Sequence, residues 1–109
     1  SAVTSDEVWE LVAHEAREIR EENHGASLVD LLVRPEEITV IERSVQDGKA
    51  SDRLLTAWLV AQEPGEDGYR IVMSTDGSTF GLASPGFQSD PFLVLCGWYG
   101  DLESAFMCM

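Results

Sequence analysis

The sequence predicts an α+β protein in which N-terminal helices pack on one face of a three- to four-stranded antiparallel sheet, followed by a short C-terminal helix. Three observations predict this architecture. The N-terminal segment repeats apolar side chains at helical intervals, short apolar runs separated by turn residues follow from Leu54 onward, and helical spacing returns after Gly100. A chain of 109 residues has room for one core of ordinary size, so residues 1–109 are expected to form a single domain.

The first helix is predicted over Asp6–Asn23. Thr4 and Glu7 have the spacing of a capping box at its start, and Gly25 is the expected left-handed stop. Its apolar side chains fall on one stripe, which we expect to pack against the sheet. That stripe consists of Val8, Leu11, Val12, Ala16 and Ile19.

The next two segments each leave a helix and a strand as alternatives. Ala26–Arg34 is predicted as a two-turn helix capped by Ser27, with a short strand as the competing interpretation. In segment 34–48, Pro35 at a first helical position, the acids behind it and a closing glycine are typical of a helix. The β-branched run Ile38–Ile41 favours a strand instead. We predict a helix here from the signals at its two ends.

The second half of the chain is predicted as a meandering sheet. Its first strand is apolar almost throughout, which is typical of a strand buried on both faces, and Asp76-Gly77 is the clearest hairpin turn. Cys96 lies in an apolar run, so we expect its side chain in the core. The predicted strands are Leu54–Ala61, 69–74, 80–83 and Phe92–Tyr99, with a loop at 84–91 and a closing helix capped by Asp101.

Charge is the property of this chain that bears most directly on function. Asp and Glu number 20 against 7 Lys and Arg, for a net charge of −13. Nucleic acids and anionic membrane surfaces both attract basic proteins, so neither is an expected partner. No apolar run reaches membrane-spanning length and no signal peptide opens the chain, so we expect a cytoplasmic protein.

The motifs of enzymes and metalloproteins are weak in this sequence. Glu10, His14 and Glu18 share one helix face, but metal sites normally draw ligands from more than one element, and the HExxH pattern fails. Ser84 lacks the GxSxG spacing of a nucleophile elbow. We therefore expect no enzymatic activity, no cofactor and no metal.

Protein binding is the function that this profile favours. Bacterial immunity proteins, antitoxins and nucleic-acid mimics are small acidic domains whose charge steers them onto basic targets. We accordingly predict an acidic protein-binding module, an inhibitor of a basic protein such as a nuclease. Its expected binding residues are Glu10 and Glu18 on the acidic face of the first helix, with Trp98 and Tyr99 as aromatic anchors.

Two further functions stay open. A dimeric acidic adaptor or chaperone without catalytic activity would have a similar composition, and so would an enzyme or small-ligand binder with a site assembled from scattered residues. A basic partner whose association falls with salt would favour the inhibitor. Binding of an apolar peptide would favour the adaptor, and a deep pocket with converging polar groups would favour the enzyme. A homodimer is compatible with all three.

Overall fold

The protein folds as a closed five-stranded barrel with one long helix, so the predicted helices on an open antiparallel sheet are wrong. The computed structural model describes residues 3–23, 25–65, 67–85 and 92–109. In chain order its elements are α1 (Ser5–Glu18), β1 (Glu22–Asn23), β2 (Ala26–Ser27), α2 (Leu28–Leu31), β3 (Leu32–Gln46), β4 (Lys49–Gln62), β5 (Arg70–Ser74), β6 (Phe80–Ser84), β7 (Leu93–Gly100) and α3 (Leu102–Met107).

Segment 34–48 is where the prediction of fold class fails. It belongs to β3 instead of forming a helix, and its β-branched run Ile38–Ile41 pairs residue by residue with β4. Pro35 lies where the register shifts between Leu32 and Glu36, a position in a strand that tolerates the missing N–H. A proline at the start and a glycine at the end, which are typical of a helix, are thus also compatible with a long strand whose register shifts near its start.

A tight turn between β3 and β4 accounts for the glycine that closes this segment. Asp47 (φ 53°) and Gly48 (φ 75°) both lie in the left-handed region. Two such residues in succession match the twist of the flanking antiparallel strands. Gly48 therefore ends one strand of a hairpin and not a helix.

The barrel is an antiparallel meander in the order β3-β4-β5-β6-β7. A short parallel pairing of β7 with β3 closes it, at Val40 opposite Leu93 and Ile41 opposite Val94. The interior is filled by side chains from all five strands, and its fully buried members are Val40, Ala57, Val72 and Ala83. Small side chains suit it because a barrel of few strands encloses little space.

A second and larger core lies between the outside of the barrel and the three helices. Trp58, Ile71 and Met73 are among the strand residues that pack there, together with Val12 of α1 and Phe106 of α3. Strands covered on both faces explain the nearly continuous apolar runs in the sequence. The prediction that Leu54–Ala61 is a strand buried on both faces is confirmed for its second half, since Ala57 and Trp58 are buried in different clusters.

Helix α1 confirms the predicted capping box and corrects the helix's end and its buried face. The Glu7 amide donates to Thr4 Oγ1 at 3.2 Å, but the helix ends at Glu18 instead of Asn23. Val8, Val12 and Ala16 are fully buried, whereas Leu11 is 43% exposed. The buried residues are spaced four positions apart, so the contact is narrower than the predicted stripe. The reason is that α1 packs on the convex outside of a barrel and not on an open sheet.

The two-turn helix predicted over Ala26–Arg34 is wrong, because only Leu28–Leu31 is helical and Ser27 makes no side-chain capping bond; the remaining predicted elements are present with changed bounds. The segment 26–34 contains the single turn α2, and the turn at Asp76-Gly77 joins β5 to β6 as predicted. Asp101 caps α3, with its Oδ1 accepting from the Ser104 amide at 2.8 Å. Of the loop predicted at 84–91, residues 86–91 lie outside the described part of the chain.

Candidate functional site

A groove between α1 and the start of α3 is the candidate functional site. It has a volume of about 380 Å³. We call it the acidic groove, because four of its lining residues are carboxylic acids and none is a lysine or arginine among the residues that the structure describes. The lining residues are His14, Glu15, Glu18, Ile19, Asp101, Leu102 and Glu103.

Two sets of hydrogen bonds hold the walls of the acidic groove in place. Asn23, which follows α1, donates from Nδ2 to the backbone carbonyls of Phe106 at 2.8 Å and Met109 at 3.4 Å. Gly100 (φ 91°) turns the chain from β7 into α3, and its amide donates to Thr79 Oγ1 at 3.2 Å. Both ends of α3 are therefore held, the last turn by β1 and the residue before its cap by Thr79.

Asp101 carries a stable negative charge at the mouth of the acidic groove. Hydrogen bonds from Ser104 hold the pKa of the Asp101 carboxyl below its ordinary value. The same carboxylate caps α3, where an acid also interacts favourably with the end of the helix. Asp101 therefore stays ionised well below neutral pH.

The floor and the rim of the acidic groove differ in polarity. Leu102 is buried and Ile19 is half-buried, so they form an apolar floor, whereas Glu18, Asp101 and Glu103 are exposed at the rim. A lysine or arginine side chain has the matching combination of an apolar stem and a cationic end. The acidic groove thus combines an apolar floor with a negatively charged rim.

The structure separates the two acids that the sequence predicts as binding residues. Glu18 lines the acidic groove, whereas Glu10 is two turns earlier on α1, exposed and outside the lining. Both still belong to the acidic helix α1, in which Arg17 is the single lysine or arginine. The acids of this helix are Asp6, Glu7, Glu10, Glu15 and Glu18.

The two aromatic residues of β7 have different environments. Trp98 packs against the cluster inside the barrel and is half-buried, and Tyr99 is 38% exposed. The register of β7 against β6 skips two residues, Cys96 and Tyr99, which are the extra residues of two bulges. Leu93 and Leu95 face into the barrel, and strict alternation would place Gly97 there next. The extra residue Cys96 shifts the alternation by one position, so Trp98 faces inward instead.

The structure also corrects the prediction for Cys96. Its side chain is exposed, with Sγ lying 3.5 Å from Ser84 Oγ, and it is not a core residue. Cys96 and Cys108 are both free thiols.

Within the described part of the chain, no group of three or more His, Cys, Asp and Glu side chains is arranged to hold a metal ion. Glu10, His14 and Glu18 share a helix face, and the structure brings His14 and Glu18 into the acidic groove without a ligand cluster. His24 lies outside the described residues.

Three acids of the groove were not among the sequence-predicted binding residues. Glu15, Asp101 and Glu103 join Glu18 because the folded chain brings the end of α1 beside the start of α3. The local signals were the acidic first helix, which contains Glu15, and the cap at Asp101, which predicts where α3 begins but not what lies beside it. Contact between segments so far apart in sequence is decided by the barrel between them.

Comparisons with known proteins give no match to this chain, whether with family models, with curated proteins or with solved structures. Among the described residues, the helices are all too short or too polar to cross a membrane.

Proposed function

We propose that this protein is a small acidic protein-binding module that inhibits a basic protein, such as a nuclease, by taking a lysine or arginine of its partner into the acidic groove. The observation that carries this proposal is the groove itself, which combines an apolar floor with a rim of carboxylates. Nucleases suit such an inhibitor because their own clefts are basic in order to bind phosphates. The same charge disfavours nucleic acids and anionic membranes as partners.

Charge outside the acidic groove is expected to speed association with the partner. At −13 the whole chain attracts a cation over several ångströms, and Glu10 extends the acidic face of α1 beyond Glu18. Exposed charges of this kind chiefly raise the association rate, and salt screens them. Binding is therefore expected to be fast and to weaken as salt is added.

Tyr99 supplies the aromatic anchor of this proposal. It is partly exposed, and Asp101 of the groove rim follows it by two residues in the chain. Trp98 contributes by filling the barrel beneath it. Aromatic anchors that a partner buries govern dissociation more than association. The free thiols of Cys96 and Cys108 fit a cytoplasmic module.

The test compares two double variants with the same change of net charge. Glu18→Gln with Glu103→Gln neutralises the rim of the acidic groove, and Glu36→Gln with Glu37→Gln neutralises two exposed acids on β3, away from the groove. A panel of basic ribonucleases and deoxyribonucleases, together with basic proteins captured at low salt, is screened by surface plasmon resonance. The groove variant should weaken binding at least about tenfold, and the β3 variant should change it less than about twofold.

Two results would contradict this function. One is the absence of any basic protein whose association with the wild-type chain falls with salt. The other is an equal loss of binding in both double variants, which would indicate that net charge matters and the acidic groove does not. Inhibition of the captured nuclease by the wild-type chain, and not by the groove variant, would connect binding to the proposed activity.

A further inference from the structure

The hairpin formed by β3 and β4 continues beyond the barrel. Strand β7 pairs with β3 at Val40 and Ile41, and the pairing of β5 with β4 begins at Ala57. We call residues 42–53 the hairpin arm. Among the residues that the structure describes, no third strand pairs with the hairpin arm, so it presents unpaired backbone groups along its edges.

The hairpin arm is ordered by its own contacts. Arg43 donates to both carboxylate oxygens of Asp52, from Nε at 2.8 Å and from a terminal nitrogen at 3.0 Å. The cross-strand neighbours Glu42 and Arg53 form a second ion pair at 2.6 Å. Adjacent cross-strand pairs of an antiparallel hairpin place their side chains on opposite faces, so each face carries one of the two ion pairs. These exposed pairs add to the backbone pairing of β3 with β4, which runs the length of the arm.

Charge distinguishes the hairpin arm from the rest of the molecule. Three of the chain's seven lysines and arginines lie in these twelve residues, beside three acids. The arm is therefore neutral, and the entire net charge of −13 belongs to the remaining residues. Two copies of the chain repel each other through any acidic surface, but not through their arms.

The hairpin arm and the residue beside it also carry the most exposed large apolar side chains of the described chain. Val45 is 69% exposed and Leu54 is 60% exposed. In the register of the hairpin, Val45 pairs with Ala50, Arg43 with Asp52, and Ile41 with Leu54. These alternate pairs share one face, so Val45, Ala50 and Leu54 form an apolar strip around the Arg43–Asp52 ion pair.

We propose that the hairpin arm is the surface through which two copies of this chain dimerise. The outer edge of β4 from Lys49 to Thr56, which lacks a second neighbour among the described residues, pairs antiparallel with the same edge of a second copy. A two-fold axis makes such a contact self-complementary and closed. We infer that a second copy of the chain pairs with this edge, because contact through the neutral arms keeps the two acidic bodies apart. The pairing also covers Leu54 and Ala50 of each copy.

The test measures the oligomeric state by sedimentation velocity between about 5 and about 500 µM. The wild-type chain should show a monomer–dimer equilibrium that shifts toward dimer as NaCl rises from about 0.02 to about 0.3 M, because salt screens the repulsion between bodies. Leu54→Lys should weaken dimerisation at least about tenfold. The matched control is Val29→Lys on α2, which removes another exposed apolar side chain (47% exposed) and should leave the equilibrium unchanged.

The result that overturns this inference is a wild-type chain that stays monomeric across the range, or a Val29→Lys variant that weakens the dimer as much as Leu54→Lys does. Circular dichroism on each variant verifies the fold, and amide exchange at high concentration should show added protection over 49–56. The inference is independent of the acidic groove. Glu18→Gln should leave dimerisation intact, and salt should strengthen the dimer while it weakens binding of a basic partner.

Discussion

Asn23 and Phe106 are joined by a hydrogen bond from the Asn23 side-chain amide to the Phe106 carbonyl, 2.8 Å long, across 83 residues of chain. The Phe106 carbonyl lies in the last turn of α3 and also accepts from the Met109 amide at 3.3 Å. The Asn23 side chain thereby fixes the end of α3 relative to β1, the strand that follows α1. The acidic groove lies between α1 and the start of α3, so this bond holds the opposite end of the helix that forms one of its walls.

Replacing Asn23 should lower stability and loosen the acidic groove. Asn23→Ala removes a partly buried hydrogen bond, and we expect the free energy of unfolding to fall by about 1 kcal/mol. Urea unfolding measures this loss, and Glu22→Ala, an exposed neighbour, is the control with an expected change below about 0.5 kcal/mol. Equal stabilities of the two variants would mean that Asn23 does not anchor α3.

The buried face of α1 can be distinguished from its flank by two neighbouring substitutions. Val12 is fully buried and Leu11 is 43% exposed. Val12→Asp places an unpaired charge in the larger core and should cost several kcal/mol, about 3 or more. Leu11→Asp leaves its charge in water and should cost less than about 1 kcal/mol. Thermal unfolding of both variants tests the packing, and a larger loss for Leu11→Asp would reverse the assignment.

Gly81 should be among the glycines least tolerant of substitution. A Cβ there would meet the Gly97 carbonyl oxygen at 2.5 Å and Cε3 of Trp98 at 2.8 Å. Gly81→Ala therefore forces strands β6 and β7 apart, at a cost of about 1 to 3 kcal/mol. Gly97→Ala is the control, because its nearest contact would be Tyr99 Oη at 3.5 Å. A red shift of tryptophan fluorescence in Gly81→Ala, absent from Gly97→Ala, would report the displaced ring of Trp98.

Asp76 should contribute to the loss of stability in acid. Hydrogen bonds from Ser74 and Ser78 lower the pKa of this carboxyl to about 2, from 3.8 for an ordinary aspartate. A folded-state pKa below the unfolded value means that the contribution is present above about pH 4 and is lost as the pH falls through about 2. Melting temperatures between these pH values should fall less for Asp76→Asn than for the wild-type chain.

A second variant separates the Asp76 carboxylate from general effects of the turn. Ser78→Ala removes hydroxyl contacts to Asp76 but keeps the charge, so its acid dependence should lie between those of the wild-type chain and Asp76→Asn. Identical slopes in all three proteins would show that the turn between β5 and β6 does not carry this pH dependence.

Local signals in the sequence determined the start of α1, the turn between β5 and β6 and the start of α3. The capping box of Thr4 and Glu7, the turn at Asp76-Gly77 and the cap of Asp101 on α3 are all present in the structure. Each depends on hydrogen bonds or backbone angles among residues a few positions apart, so neighbours in the chain are sufficient to specify it. The acidic character of the protein likewise follows from composition alone.

Tertiary structure decided the conformation of segments whose local signals favoured both a helix and a strand, and the direction in which side chains face. The segment that begins at Pro35 has the end signals of a helix, and it becomes a strand because β4 offers it a partner along its length. The extra residue Cys96 reverses the alternation along β7, which turns Trp98 into the barrel and leaves Tyr99 outside. Glu18 and Asp101 meet only because the barrel closes between them, and contacts over such distances depend on pairing and packing that local pattern does not encode.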